Sequence, residues 1–133
     1  MEIISFSYSK YLVASSLLFL IPSYYAYHKN VYSIATALCI TSLLSINHWR
    51  NAYYSTRRIM DVYWSRIASI VFICHSFYYV PIFIIVNNVG IMAWFYYQSW
   101  YQYTLDPLGN WYIYHMIFHA IGSINQCIII YYI

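Results

Sequence analysis

Charged side chains are nearly absent from this sequence, and nothing else about it constrains the fold as much. Six Lys or Arg and three Asp or Glu are spread over 133 residues, 7% of the chain, where an average soluble domain carries about 25%. So few charges cannot cover the surface of a water-soluble globule of this length. With 63% of residues hydrophobic, the chain also lies far from disordered compositions, which combine low hydrophobicity with high net charge. Three Gly and three Pro exclude collagen-like or Pro/Gly-rich sequences. The class that remains is an all-α, polytopic integral membrane protein.

A spanning helix needs about 20 mostly apolar residues, so the chain holds five or six spans with tight loops and no separate aqueous domain. Any chemistry must sit in the bundle or at its edge. The formal net charge of +3 is too small to point to nucleic acid. Cys39, Cys74 and Cys127 fall in apolar stretches and read as small core residues, not as a disulfide framework. The first apolar run lacks a basic n-region and a small-x-small cleavage site, so it reads as a retained span. The 19 tyrosines are spread along every span, which fits interface anchoring and compositional bias better than a redox role.

Five spans are expected, at about 11–27, 31–48, 61–80, 81–104 and 111–133, the first bent by Pro22. Asp106-Pro107-Leu108-Gly109-Asn110 is a strong turn signal. The turn between spans three and four has two possible positions, Tyr79–Pro81 or Asn87–Gly90, and the first leaves two asparagines mid-span. With five crossings, Lys10, Arg50, Arg57, Arg58 and Arg66 share the side of the N-terminus, and only Lys29 lies opposite. Short loops rich in Lys and Arg stay cytoplasmic, which puts the N-terminus inside. Eight of the nine charged residues then belong to one edge. The organelle is not legible.

The same count brings four ionisable residues to that edge. His48 ends span two, Asp61 begins span three, and His115 and His119 lie in the first turns of span five. Ionisable residues within membrane segments are rare and face the bundle interior or a water-filled cavity. His115 and His119, four residues apart, project from one helix face about 6 Å apart along the axis. Their stripe continues through Gly122 and Gln126. Ser33, Ala37, Thr41, Ser45 and His48 form a stripe on span two, and Asp61, Ser65 and Ala68 one on span three. Small and hydroxyl residues pack membrane helices together, so these faces are expected to meet. Three neutral imidazoles with an open fourth position make a catalytic type of zinc site. Zinc lowers the pKa of bound water to about 7, and a carboxylate can take its proton or orient a ligand. A serine hydroxyl can orient the water or bond the developing oxyanion.

These residues resemble the alkaline ceramidase superfamily, which includes the adiponectin/progestin-type receptors and the hemolysin III-like proteins. The matching stretches are Thr41-Ser42-Leu43-Leu44-Ser45-Ile46-Asn47-His48, Met60-Asp61, and Trp111-Tyr112-Ile113-Tyr114-His115-Met116-Ile117-Phe118-His119. The resemblance implies a membrane zinc hydrolase of lipid amides, ceramide-like, with His48, His115 and His119 as ligands of Zn2+. Asp61 and Ser45 would be the catalytic polar pair at the zinc-bound water. The family serine stands four residues before its histidine, where this chain has Leu44; Ser45 keeps the face at three residues, and Ser42 is the other candidate. The family core has seven spans, two more than fit here.

Each residue also has a plainer reading. His48 beside Trp49 and Arg50 fits an interfacial aromatic belt, and His115 and His119 fit inter-helix hydrogen bonding. Asp61 fits an N-cap of span three or a pair with Arg57 one turn earlier. His75, 14 residues beyond Asp61, lies about 21 Å deeper and reads as a buried hydrogen-bonding histidine outside the site; His28 reads as a turn residue. The functional alternatives are a non-catalytic small membrane protein (metal-stabilised relic, scaffold or assembly factor) and a bis-histidine haem protein. The expected partner is membrane lipid, with a homo-oligomer as one way to complete the pocket.

Overall fold

The first helical rod bends where its sequence forbids a regular helix. In the computed structural model, which describes residues 2–133, α1 (Phe6–Ser16) runs through a tight 3-10 turn (Leu17–Phe19) into α2 (Leu20–His28). Pro22 cannot supply the N–H that the Leu18 carbonyl would take in an unbroken α-helix. That carbonyl takes a 3-10 backbone N–H, and the Ser123 hydroxyl from the last helix donates to it as well at 2.7 Å. Ser42 likewise donates to the Ser16 carbonyl at 2.9 Å. Hydroxyls from neighbouring helices thus satisfy the backbone at the bend.

Asn30 then takes the left-handed conformation (φ 61°), which Asn tolerates better than most side chains, and the chain reverses into α3 (Tyr32–Trp49). A loop follows, pinned by a bond from the Ile3 N–H to the Ala52 carbonyl at 2.7 Å. α4 (Thr56–Tyr79) ends at extended Val80, and Pro81 starts α5 (Ile82–Leu105). Of the two possible turns, the chain uses the one at Val80–Pro81. Asn88 consequently sits half-buried within α5, while Asn87 points outward. The Asp106–Asn110 turn is closed by Asp106, whose carboxylate accepts the Leu108 N–H at 3.1 Å. α6 (Trp111–Tyr132) completes an all-helical bundle; no strand occurs among the described residues.

Packing is uneven. The bent rod lies against α3 and α6, α3 against α4, and α5 along α6, whereas α4 touches α5 and α6 only sparsely. One core cluster joins Phe19, Ala26, Ile34, Leu38, Phe72 and Ile130 across the bundle. A second, at the basic end, joins Leu12, Trp49 and Trp111 with the N-terminal Ile3 and Ile4. Trp64 ties α4 to α3, its indole N–H 3.0 Å from the Thr41 hydroxyl.

The predicted contact stripes are largely inside. Ala37, Thr41, Ser45 and His48 are buried on α3, Asp61 and Ala68 on α4, and His119 and Gly122 on α6, while Ser33 is exposed and Ser65 half-buried. All three cysteines are free; Cys74 lies on the surface and not in the core, because the outer face of α4 has no neighbour. Among the described residues one helix, α6, is long and apolar enough to cross a membrane.

Candidate functional site

The basic end of the bundle gathers most of the residues picked out from the sequence. His48 is the penultimate residue of α3, Asp61 the sixth of α4, and His115 and His119 the fifth and ninth of α6. Because α4 begins at Thr56, with Ser55 in the N-cap position, Asp61 lies more than a turn inside the helix and is not its cap. It is buried, and its Oδ1 has no hydrogen-bond partner.

His119 is the best anchored of the three imidazoles. Its Nδ1 lies 2.9 Å from the Ser15 hydroxyl. The same hydroxyl lies 3.1 Å from the Leu12 carbonyl; with its single proton on that carbonyl it accepts from His119 Nδ1–H, the arrangement that leaves the Nε2 lone pair free. A second-shell bond of this kind is what fixes the tautomer of a metal-ligating histidine. The ring also packs edge-on against Phe19, with centroids 5.3 Å apart.

His115 stands 4.8 Å from His119 between ring centroids, and its Nδ1 is 3.3 Å from the Ser99 hydroxyl on α5. His48 is buried with its Nδ1 unpaired. The Trp49 indole, also buried, touches both neighbours, 4.3 Å from the His48 ring and 5.2 Å from that of His115. Ser45 is bonded to the first rod: it accepts a hydrogen bond from Ser16 at 3.0 Å. Ser42 is bound to the Ser16 carbonyl, as described above. His75, half-buried, has its Nδ1 2.9 Å from the Val71 carbonyl of its own helix, and His28 is exposed beside Tyr24.

Donor chemistry and placement give different answers for a metal. The imidazole of His119, the unpaired Nδ1 of His48 and the unpaired carboxylate oxygen of Asp61 are the donor types that zinc takes. Yet among the described residues no three His, Cys, Asp or Glu side chains lie close enough to hold one ion. Depth accounts for part of this. Counted from the basic end, His48 is one residue in from the end of α3 and His119 eight residues in from the start of α6, a difference of roughly 10 Å along the axes.

Three residues of this region carried no flag in the sequence reading: Ser15, Ser99 and Trp49. Depth counting finds the first. Ser15 is nine residues beyond Phe6 and His119 eight beyond Trp111, so two helices that start at the same end place them level. No family model, curated protein or solved structure matches the chain.

Proposed function

We propose that this chain is a multi-pass membrane protein whose basic end binds a zinc ion and supports hydrolysis of a lipid amide. The membrane part rests on an inverted partition of side chains. Ser15, Ser16, Ser42, Ser45, His48, Asp61, Ser99 and His119 are buried, whereas Ile67, Ile70, Phe77, Phe83, Val86 and Trp94 are exposed. A soluble protein buries the second set and exposes the first; lipid reverses the preference. Exposed aromatics also form two belts. Tyr24, Tyr27, Tyr32, Tyr78, Tyr79 and Tyr131 ring one end, and Tyr8, Tyr11, Tyr54, Tyr97, Trp100 and Tyr101 the other, as at two membrane–water interfaces. Arg66, exposed on α4, turns back over the Tyr63 ring toward the basic end (5.8 Å), the direction in which a lipid-facing arginine snorkels.

The metal part rests on one observation: the Ser15 hydroxyl bonds His119 Nδ1, which leaves Nε2 as the nitrogen open to a metal, beside His115 and at the same end of the bundle as the unpaired His48 and Asp61. His48, His115 and His119 would hold the ion, which when bound supplies an acidified water. Asp61 would hold or accept a proton at Oδ1, and Ser15 and Ser99 orient the imidazoles. Ser45, bonded to Ser16, supports the α1–α3 contact in this arrangement. The resemblance to the ceramidase superfamily supports lipid amide as the substrate class.

A second reading, a non-catalytic bundle, is favoured by the Trp49 indole packed on both His48 and His115. Stoichiometric zinc in the purified full chain, lost in the His115→Ala/His119→Ala double variant, together with release of fatty acid from a ceramide substrate, is expected from the first reading. Absence of zinc, or its full retention in the double variant, overturns it. Zinc without amide turnover selects the second reading.

A further inference from the structure

At the basic end, the α3–α4 loop, the start of α4 and the end of α5 bring a cation and two phenols together. The Arg58 guanidinium lies over the Tyr54 ring, 4.7 Å from its centroid. The Tyr54 hydroxyl is 3.1 Å from the Tyr103 hydroxyl. Tyr103 packs edge-on against Trp111, with centroids 5.3 Å apart, and the Trp111 indole N–H is fixed on the Pro107 carbonyl at 3.1 Å. Donors remain here for an outside acceptor. A guanidinium that rests its face on a ring keeps N–H groups at its edge. Of two bonded phenols only one donates to the other, so the second keeps a proton to give. Arg57 and Arg58 are half-buried, and Lys10 and Arg50 are exposed at the same end. The exposed carboxylates of that end are Glu2 and Asp106. Asp106 already accepts the Leu108 N–H, and Glu2 is bridged through its backbone to Tyr53.

We infer that this cluster binds the phosphomonoester head of an anionic lipid, phosphatidic acid being the simplest, an inference that rests on the membrane reading above and not on the metal. Tyr54 belongs to the exposed aromatic belt of this end, which places the cluster at headgroup depth. Clustered Lys and Arg at that depth attract any anionic lipid. Arg58 and the phenols add selectivity to that attraction. An arginine fork matches two phosphate oxygens, and a phenol O–H reaches a third. A phosphomonoester offers three such oxygens and nearly two negative charges; a phosphodiester head has fewer of both. Choline brings a cation of its own toward Arg57 and Arg58, so phosphatidylcholine is the poorest fit. Because Tyr54 and Tyr103 are already bonded and Trp111 holds the second ring, little ordering is left for the lipid to impose.

Native mass spectrometry of the purified full chain in detergent, with phosphatidic acid and phosphatidylcholine offered at equal concentration, reads the preference. Phosphatidic acid is expected to be retained about tenfold over phosphatidylcholine, a difference of about 1.4 kcal/mol, and over phosphatidylserine by a smaller margin. Either hydroxyl alone can donate, so the Tyr54→Phe/Tyr103→Phe double variant, which keeps both rings and every charge, is expected to lose most of that preference. Should it fail to fold, Arg58→Lys, which keeps the charge and not the fork, is expected to lose part of it. Lys29→Gln, at the opposite end, is expected to change nothing. Equal retention of the two lipids, the same loss in Lys29→Gln, or unchanged preference in the folded cluster variants would overturn the inference. So would displacement by glycerol phosphate at the lipid's own concentration, since a free phosphate ester would then be the ligand. Vesicle flotation separates this failure from that of the membrane reading: a chain that does not insert into phosphatidylcholine vesicles fails the latter, and one that inserts without preference fails only the inference.

Discussion

The two halves of this bundle treat their polar groups differently. At the basic end, and down to the bend of the first rod, Ser16 meets Ser45, Ser42 the Ser16 carbonyl and Ser15 His119 across helices, although His48 Nδ1 and Asp61 Oδ1 stay unpaired there. In the half bounded by α4 and α5, the hydroxyls turn to their own helices and the amides of Asn88 and Gln126 stay unpaired. A helix pair can approach closely only where small residues or reciprocal bonds allow it. The first half is therefore closed, and the second leaves a cleft of about 320 Å³ between α4, α5 and α6.

This contrast predicts unequal costs for equal truncations. Replacement of Leu12, completely buried in the closed half, by Ala is expected to cost about 2 kcal/mol or more, the low end for core Leu→Ala, since in the proposed membrane setting the loss is mainly packing. Val89→Ala at the mouth of the cleft is expected to change stability by less than about 0.5 kcal/mol. Thermal unfolding of both variants in the same detergent measures the difference. Equal costs would mean that the two halves are packed alike.

The next effect sharpens the chemistry of the closed half. Ser15→Ala removes the acceptor that holds His119 Nδ1–H, and zinc affinity is expected to fall 10- to 100-fold, as for other second-shell losses. Metal titration with a competing chelator reads it. Asn would restore an acceptor and part of the affinity. A Ser15→Ala protein that holds zinc as tightly as wild type removes the tautomer argument.

Why the sequence disclosed some of this and not the rest follows from range. Charge scarcity and the Asp106–Asn110 turn are local or compositional, and helix class and number follow from them. The His115/His119 pair is local too, one helical turn on one face. Ser15 and Trp49 were hidden because their roles depend on which helices are neighbours: Ser15 matters only once α1 lies beside α6, a contact of residues 104 positions apart. The partner of Ser45 was hidden for the same reason. Its face was legible, but that it bonds Ser16 depends on the first rod lying against α3. The helix starts moved as well: α4 opens five residues before Asp61, since Thr56 to Met60 continue the helix although two arginines interrupt the apolar run.

Ser123→Ala tests the reciprocal bonding that closes the first half. It leaves the Leu18 carbonyl without its side-chain donor, and a loss of about 0.6 kcal/mol is expected in the proposed membrane setting, the average for inter-helix hydrogen bonds there. Pro22→Ala supplies the missing backbone N–H, so adding it is expected to recover most of that loss. Purely additive effects in the double-variant cycle would show that the proline and the serine are unconnected.

Gly122 touches both halves and carries the smallest expected effect. It lines the cleft, and a Cβ built there would meet the Met92 Cε at 3.0 Å and the Phe19 Cε1 at 3.4 Å. The closer contact is the tip of an unbranched, flexible side chain that borders open space, so Met92 can move into the cleft. Gly→Ala in a helix interior also gains about 0.5–1 kcal/mol of propensity. The two contributions nearly cancel, and Gly122→Ala is expected to shift stability by less than about 0.5 kcal/mol, with Met92 moved into part of the cleft. Phe19 is the firmer neighbour, since its ring is packed against His119. If Gly122→Ala instead costs more than about 1 kcal/mol and also weakens zinc binding, the added methyl has displaced Phe19 and not Met92. The cleft would then be as tightly packed as the basic end, and the difference between the halves would fail.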